Sequence, residues 1–279
     1  MRRAWVFNLD ADDELARFPL LYQRPRSVEA MIAARVPMGL LADGDVVLDG
    51  AIDGEYECAA WCPTPLAVKE WQRAGLAAPF VPSTEILRRV NHRAFALPFS
   101  HPDVRSRWVA NEAQWADWCR EQDAGPWLFK RPFGYVGRGQ RKPGWPLSRE
   151  DHQWALATLK LGDGFVIERS LTIAKEYALH GMLENGRCRW GVLTEQDVDT
   201  QGVWRGSVVS LDSGLACQMR DACEPLVEHL GASGYFGPFG VDAYQWKNDR
   251  SELQMNFVSE LNARYTMGYA VGMGATRQP

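Results

Sequence analysis

Phe257-Val-Ser-Glu-Leu-Asn-Ala-Arg264 alternates as a β-strand does. On a pleated backbone Phe257, Ser259, Leu261 and Ala263 face one way, and Val258, Glu260, Asn262 and Arg264 the other. A carboxylate, an amide oxygen and a guanidinium then line up along about 14 Å of rigid chain. The first two are hard oxygen ligands of the kind Mg²⁺ prefers; the third is a cation able to hold an oxyanion. Upstream, Phe236-Gly-Pro-Phe-Gly-Val-Asp-Ala-Tyr-Gln-Trp246 reads as a partner strand with Asp242 as its only acid, and Lys247-Asn-Asp-Arg250 as the turn between them. Taken alone, the pair is equally an ordinary hairpin whose Glu and Asn face water, so the rest of the chain decides.

The 279 residues suffice for two domains or one large one with subdomains. With 46% hydrophobic and 24% charged residues the composition is that of a globular protein, and a net charge of −4 argues against a general nucleic-acid binder. No apolar run approaches the ~20 residues of a membrane span, and the apolar stretch after Arg2 and Arg3 is too short for a secretory signal. The six cysteines include no Cys-x-x-Cys pair, so a structural zinc site is not expected. Reduced thiols in a cytoplasmic protein are the simplest reading. A symmetric dimer is the default expectation for such a chain.

Residues 1–80 alternate strand and helix. Strands are expected at Ala4–Leu9, Asp45–Leu48 and Cys58–Trp61, and helices at Ser27–Arg35 and Thr64–Ala74, the latter with Pro65 at its first position and Gly75 as its stop. This predicts a small α/β unit with a partly parallel sheet. It carries no Gly-x-Gly-x-x-Gly after its first strand. Helices follow at Ser83–Ala96, Asn111–Gln122, Ser148–Lys160 and Ser213–Leu230, with strands at Pro126–Pro132 and Gly164–Leu171. Lys175–Leu183, a Glu-Asn-Gly turn and Cys188–Leu193 form a hairpin. Thr194–Gly206 reads as a loop, either mobile beside the site or plain solvated surface.

Two further groups of residues carry chemistry. Lys130 ends a short strand and is followed by Gly134, Gly137 and Gly139, with Arg138, Arg141 and Lys142 adding charge. Glycines let backbone N–H groups approach an anion, so the loop can cradle a polyphosphate or be an exposed turn. It is not a Walker loop, since Lys130 precedes the glycines. Phe165-Val-Ile-Glu-Arg-Ser-Leu171 is a strand ending in a polar connector, with Glu176 beyond; such a connector suits an adenine edge and such an acid suits ribose hydroxyls.

In this order the motifs resemble those of the ATP-grasp superfamily, from about residue 80 to 270. The resemblance implies an α/β fold, in which a small N-terminal α/β domain (residues 1–82) precedes two α+β subdomains (83–170 and 171–279) with ATP held between them. Leu128-Phe-Lys-Arg-Pro132 is similar to the strand bearing an ATP-binding lysine, and Gly134–Gly139 to the flexible phosphate loop. Glu168, Arg169 and Leu171 fall in the adenine hinge, and Glu176 at the ribose acid. Asp242, Glu260 and Asn262 match the Mg²⁺ ligands. The family's earlier phosphate-contacting lysine is missing: Asn91-His-Arg-Ala-Phe95 stands in its place, and Arg93 would take that role, keeping the charge and a bidentate grip on phosphate.

The resemblance further implies an ADP-forming ligase, in which the γ-phosphate of ATP activates a small-molecule or peptide carboxylate and an amine attacks the acyl phosphate. Lys130 and Arg93 would hold phosphate oxygens, and Arg264 the substrate carboxylate and the tetrahedral oxyanion. Two alternatives stay open: a phosphotransferase on the same fold, and a nucleotide-binding module without turnover. None of the five histidines stands out as a base; His229 reads as a helix-end residue. Tyr135, Trp204, Arg205, Tyr235 and Tyr265 are either substrate-side residues or packing.

Overall fold

The computed structural model describes residues 1–35, 38–121, 124–134, 139–199 and 204–274. The N-terminal unit runs β1 (Arg3–Val6), α1 (Ala11–Arg17), α2 (Arg26–Ala33), β2 (Val46–Val47), β3 (Glu57–Ala60) and α3 (Pro65–Arg73). Its three strands are all parallel, in the order β2-β1-β3. Gly75, at φ +81°, follows α3 as expected of a residue free to enter the left-handed region. Next comes α4 (Thr84–Asn91), capped by the Ser83 hydroxyl, which accepts from the Ile86 amide.

The second sheet is antiparallel. Along the chain come β4 (Arg107–Val109), α5 (Glu112–Glu121), β5 (Trp127–Lys130), β6 (Gln140–Arg141), α6 (Arg149–Lys160) and β7 (Phe165–Arg169), and the strands lie in the order β4-β7-β5-β6. Ser148 and Asp151 form a reciprocal capping box at the start of α6. Aromatic side chains fill the space between sheet and helices: Trp115, Trp118, Phe129 and Phe165 pack ring against ring at 5.2–5.8 Å.

The third sheet holds β8 (Ile173–Glu184), β9 (Arg187–Val198), β10 (Trp204–Val209), β11 (Gly237–Lys247) and β12 (Leu253–Asn262), in the order β10-β9-β8-β11-β12 and antiparallel throughout. Asn185 and Gly186, both with positive φ, make the two-residue turn between β8 and β9. The long helix α7 (Ser213–Ala232) crosses one face of the sheet. Its buried Leu215, Met219, Cys223, Leu226 and Leu230 recur at helical spacing and meet Leu179, Phe239, Val241 and Leu261 in the core. The same core includes Trp5, Phe7 and Trp61 of the N-terminal unit and Leu87 and Val90 of α4, so it joins the first and third sheets. The opposite face of the third sheet stays polar and bears Glu176, His180, Asp242, Glu260 and Asn262.

The structure corrects the sequence reading in four places, the first being that the helix expected over Ser83–Ala96 stops at Asn91, with Arg93–Phe95 a separate short turn. Thr194–Gly206 is not a loop at its ends: residues 194–198 complete β9 and Trp204 opens β10, an edge strand whose turn chemistry was not recognisable. The short strand β4 lies between the expected helices Ser83–Ala96 and Asn111–Gln122, where no element was assigned. The two-face alternation of residues 257–264 breaks at a bulge. Asp242 pairs with Glu260, but Tyr244 pairs with Asn256, so two extra residues of β12 are taken up there. Val258 therefore joins the core with Leu261, and Ser259 turns to donate its hydroxyl to the Asp242 carbonyl at 3.0 Å.

After β12 the chain folds back over the polar face of the third sheet and ends in α8 (Tyr269–Gly272), which touches β8, β9, β10 and the turn Met38–Leu40. Close approach depends on glycine: a Cβ at Gly272 would lie 2.3 Å from Nδ1 of the buried His180. Gly272→Ala should destabilise the protein by about 1–3 kcal/mol, read as a lowered Tm. His180→Ala in the same chain should recover part of that loss; a Tm unchanged in Gly272→Ala would show that the imidazole moves aside freely.

Candidate functional site

A cleft of about 1190 Å³ opens between the second and third sheets and runs to the N-terminal unit. Its walls carry Lys130 and Glu168 from the second sheet, Glu176, Gln196, Asp242, Glu260 and Asn262 from the third, and Leu9 and Trp61 from the loops after β1 and β3.

On the second sheet, β5 and β7 pair antiparallel, with Leu128 opposite Glu168. This places Lys130 Nζ in an ion pair with Glu168 Oε1, both side chains largely buried. Glu176, where the chain passes into the third sheet, faces the same ammonium. Burial raises the Glu176 pKa above its ordinary value, and the nearby Lys130 charge works against that rise. Arg169 lays its guanidinium 4.6 Å from the centre of the Trp127 ring, and Leu171 packs with Val104, Tyr244 and Trp246. Both line the cleft.

On the third sheet, Asp242 and Glu260 stand directly opposite each other on paired strands, and Gly240 opposite Asn262. Two carboxylates at facing positions repel. Burial, and then the Glu260 charge, push the Asp242 carboxyl up to about 7. Its Oδ1 accepts from Gln196 Nε2 at 3.0 Å and its Oδ2 from Asn262 Nδ2 at 2.9 Å. Glu260 is paired instead with Arg93, whose Nη2 lies 3.0 and 3.3 Å from the two carboxylate oxygens.

Arg93 reaches Glu260 because α4 ends where it does. The side chain of Asn91 at that end bonds both the N–H (2.9 Å) and the C=O (3.3 Å) of Ala263, pinning the helix to the end of β12. Two residues on, Arg93 donates to Glu260, to the Arg131 carbonyl at 2.7 Å and to the Gly134 carbonyl at 3.3 Å. One guanidinium thus joins β12 to the segment leaving Lys130. Gly139 closes that segment at φ +77°, its carbonyl accepting from the Arg131 amide at 2.8 Å. Gly137, and with it Tyr135 and Arg138, lies outside the described residues.

Arg264 is buried. Its Nη2 donates to Asp12 Oδ2 at 2.8 Å, its Nη1 to the Tyr265 carbonyl at 3.3 Å, and its guanidinium lies 5.7 Å from the Trp61 ring centre. Its Nε has no hydrogen-bond partner. Three residues at this site escaped the sequence reading: Gln196, Asp12 and His180. Gln196 sits in the stretch taken for a loop, and Asp12, 252 residues from its partner, follows the expected strand Ala4–Leu9 where no site residue was assigned. His180 is also at the site, 1% exposed, with Nε2 2.8 Å from Thr266 Oγ1 and Nδ1 unpartnered. His229 lies in the last turn of α7, stacked on Phe95, away from the cleft. Tyr235 is buried, with its hydroxyl donating to the Pro238 carbonyl at 2.5 Å.

No protein-family model and no curated protein matches the sequence. Solved structures match the fold. N5-carboxyaminoimidazole synthetase from Staphylococcus aureus, complexed with ADP, aligns at a TM-score of 0.52 and 15% identity, over 80% of this chain and 61% of that one. The ribonucleotide synthetase from Thermus thermophilus aligns equally well at 18% identity, with the same coverage. The chain has the ATP-grasp fold. Rhizobium etli pyruvate carboxylase contains a similar unit, at a TM-score of 0.52 and 17% identity over 75% of this chain and 18% of that one. The chain thus spans about three fifths of the length of the two synthetases. In this chain, Lys130, Glu168, Glu176, Asp242, Glu260, Asn262, Arg93 and Arg264 all line one cleft. Among the described residues no helix is long and apolar enough to cross a membrane.

His180 gives the cleft floor a pH signature. Burial lowers its pKa from 6.5 to about 4. The unfolded chain then takes up this proton near pH 6.5 and the folded chain only near 4, so stability falls as pH drops through that window, by about 3 kcal/mol at pH 4. Asp242, raised instead, contributes with the opposite sign between about 4 and 7. Unfolding free energies of wild type minus His180→Gln isolate the histidine; a flat difference between pH 6.5 and 4 would show that the ring is not held neutral.

Proposed function

We propose that the chain is an ADP-forming ligase that activates a carboxylate with ATP and passes the acyl group to an amine. The observation that carries this reading is that the Lys130–Glu168 pair of the second sheet faces the carboxylate pair of the third sheet across a single cleft. The neighbour from Staphylococcus aureus was solved with ADP, which supports placing the nucleotide between those walls. We assign the adenine edge to residues Glu168–Leu171, ribose to Glu176, and phosphate oxygens to Lys130, Arg93 and the loop Gly134–Gly139. In the same reading residues 1–82, 83–170 and 171–279 are the three units, and the reaction is cytoplasmic, in keeping with six cysteines that are all free.

The donor chemistry fits Mg²⁺. Among the described residues no three His, Cys, Asp or Glu side chains gather into a metal cage. Mg²⁺ needs none: it is bound by one or two carboxylates with phosphate and water completing the octahedron. Asp242, Glu260 and the Asn262 amide oxygen supply such a set, and a cation there would oppose the rise that burial and the Glu260 charge impose on the Asp242 carboxyl. Bound there, Mg²⁺ neutralises charge on the phosphates.

The protein's own groups do the rest. A carboxylate oxygen of the substrate attacks the γ-phosphorus and ADP leaves. The amine then attacks the acyl carbon, and phosphate leaves with the acyl C–O bond pair. Lys130, steadied by Glu168, aligns the transferring phosphoryl group; phosphoryl transfer asks for alignment and charge neutralisation more than covalent help. Arg264, with its unpartnered Nε, binds the carboxylate and then the tetrahedral oxyanion. Asp12 restrains the guanidinium so that it does not reorganise during the step.

The test is ADP release measured with carboxylate and amine together and with each omitted. Release only when both are present is the expected result, and a stable phosphorylated product would overturn the ligase reading. Glu260→Gln and Lys130→Ala should each lower turnover by about 10² or more while the fold is retained. Wild-type rates in either would remove that residue from the site. Arg264→Ala should keep ATP affinity and lose the chemical step.

A further inference from the structure

The cleft does not end at the carboxylate pair. Beyond Arg264 it continues between the N-terminal unit and the chain after β12, where its walls change character. Leu9, Trp61 and Met31 line it from one side and Met267 from the other, and all four belong to or pack against a single apolar core. Arg264 is the buried cation among these walls, with one face toward the Trp61 ring and an Nε without a partner. An unpaired buried N–H is costly, and a ligand acceptor would relieve that cost. Asp12 already compensates part of the charge, so the subsite suits a ligand group of one negative charge rather than two. Arg35 lies exposed at the rim.

We infer that this end of the cleft is the acyl-substrate subsite, and that it takes a monocarboxylate bearing an apolar group, the carboxylate on Arg264 and the apolar group against Leu9, Trp61, Met31 and Met267. This rests on the ligase reading for its role, but the binding claim stands on geometry alone. The N-terminal unit then selects the substrate in two ways. Asp12 holds the receptor guanidinium, and the tethering bond from the Tyr265 amide to the Trp61 carbonyl, 3.0 Å, keeps the apolar wall beside it.

Calorimetry on the full chain without nucleotide tests the inference with 4-methylpentanoate, acetate, succinate, ribose 5-phosphate and 4-methylpentanol. The expected order places 4-methylpentanoate at least about tenfold tighter than acetate, since its added carbons leave water, with succinate and ribose 5-phosphate weaker and the alcohol unable to compete. Met31→Lys, a substitution at a half-exposed position, should erase the preference for 4-methylpentanoate over acetate while leaving ADP affinity unchanged. Equal affinities for the two acids, tighter binding of succinate or the sugar phosphate, competition by the alcohol, or a preference that survives Met31→Lys would each overturn it. The two readings fail separately. Selective binding without carboxylate-dependent ADP release sinks the ligase and keeps the subsite. ADP release supported only by polar or phosphorylated acids sinks the subsite and keeps the ligase.

Discussion

Two carboxylates at facing positions of an antiparallel pair are the constraint from which the rest of the site follows. Asp242 and Glu260 share one register position and one face of the sheet, and like charges so placed destabilise strand pairing. The fold answers with three different donors. Arg93 comes from the end of α4, Gln196 from β9 across the width of β8, and Asn262 from β12 itself. Each requires an element to be where it is. The helix must end at Asn91, β9 must extend past residue 194, and β12 must take up its bulge so that Glu260 and Asn262 face the cleft while Val258 goes to the core.

The same logic recurs at three cations deep in the cleft. Lys130 is held by Glu168, Arg93 by Glu260 and Arg264 by Asp12. A buried ion pair is weak evidence for stability, because desolvating both partners offsets most of their attraction, whereas losing one partner costs about 3–5 kcal/mol. Such pairs are better understood as a way of keeping charges dry and aimed. If an anionic ligand and its counter-cation enter together, as proposed, each of these charges would exchange one partner for another of the same sign, and no group would be left bare.

Most of this was legible where chemistry is local. The two strands, their acids and the turn between them could be read from alternation and spacing. The capped helices α4 and α6 and the parallel N-terminal sheet could be read from Ser83, Ser148, Pro65 and Gly75. What could not be read depends on distance or on register. Asp12 looks like a helix-start acid until the fold brings Arg264 to it. Gln196 lay in a polar, glycine-containing stretch whose strand character comes from pairing with β8, not from its own residues. The bulge opposite Ala243 is invisible to a period-two reading, which therefore sent Val258 to the wrong face and Ser259 away from Asp242. His180 was passed over because its significance lies in what surrounds it: Gly240, Gly268 and Gly272 clear space around the ring, and Thr266 takes its Nε2.

That space has a consequence for how the three sheets act together. The chain after β12 can cross the polar face only because those glycines let it lie on His180, and it must cross there to bring α8 against the Met38–Leu40 turn. Arg264 stands at the start of this crossing, where Asp12, in the first turn of α1, accepts from its guanidinium and the Trp61 carbonyl, in the loop after β3, accepts from the Tyr265 amide. Ligands of parallel α/β sheets gather at this end of the strands. Here that edge is turned toward the third sheet and contributes an acid and an aromatic wall rather than a phosphate loop. The N-terminal unit therefore completes the cleft from the side opposite Lys130 and Glu168. In the proposed reaction a nucleotide and an acyl substrate would then meet between Glu260 and Arg264, four residues apart on one continuous stretch of backbone.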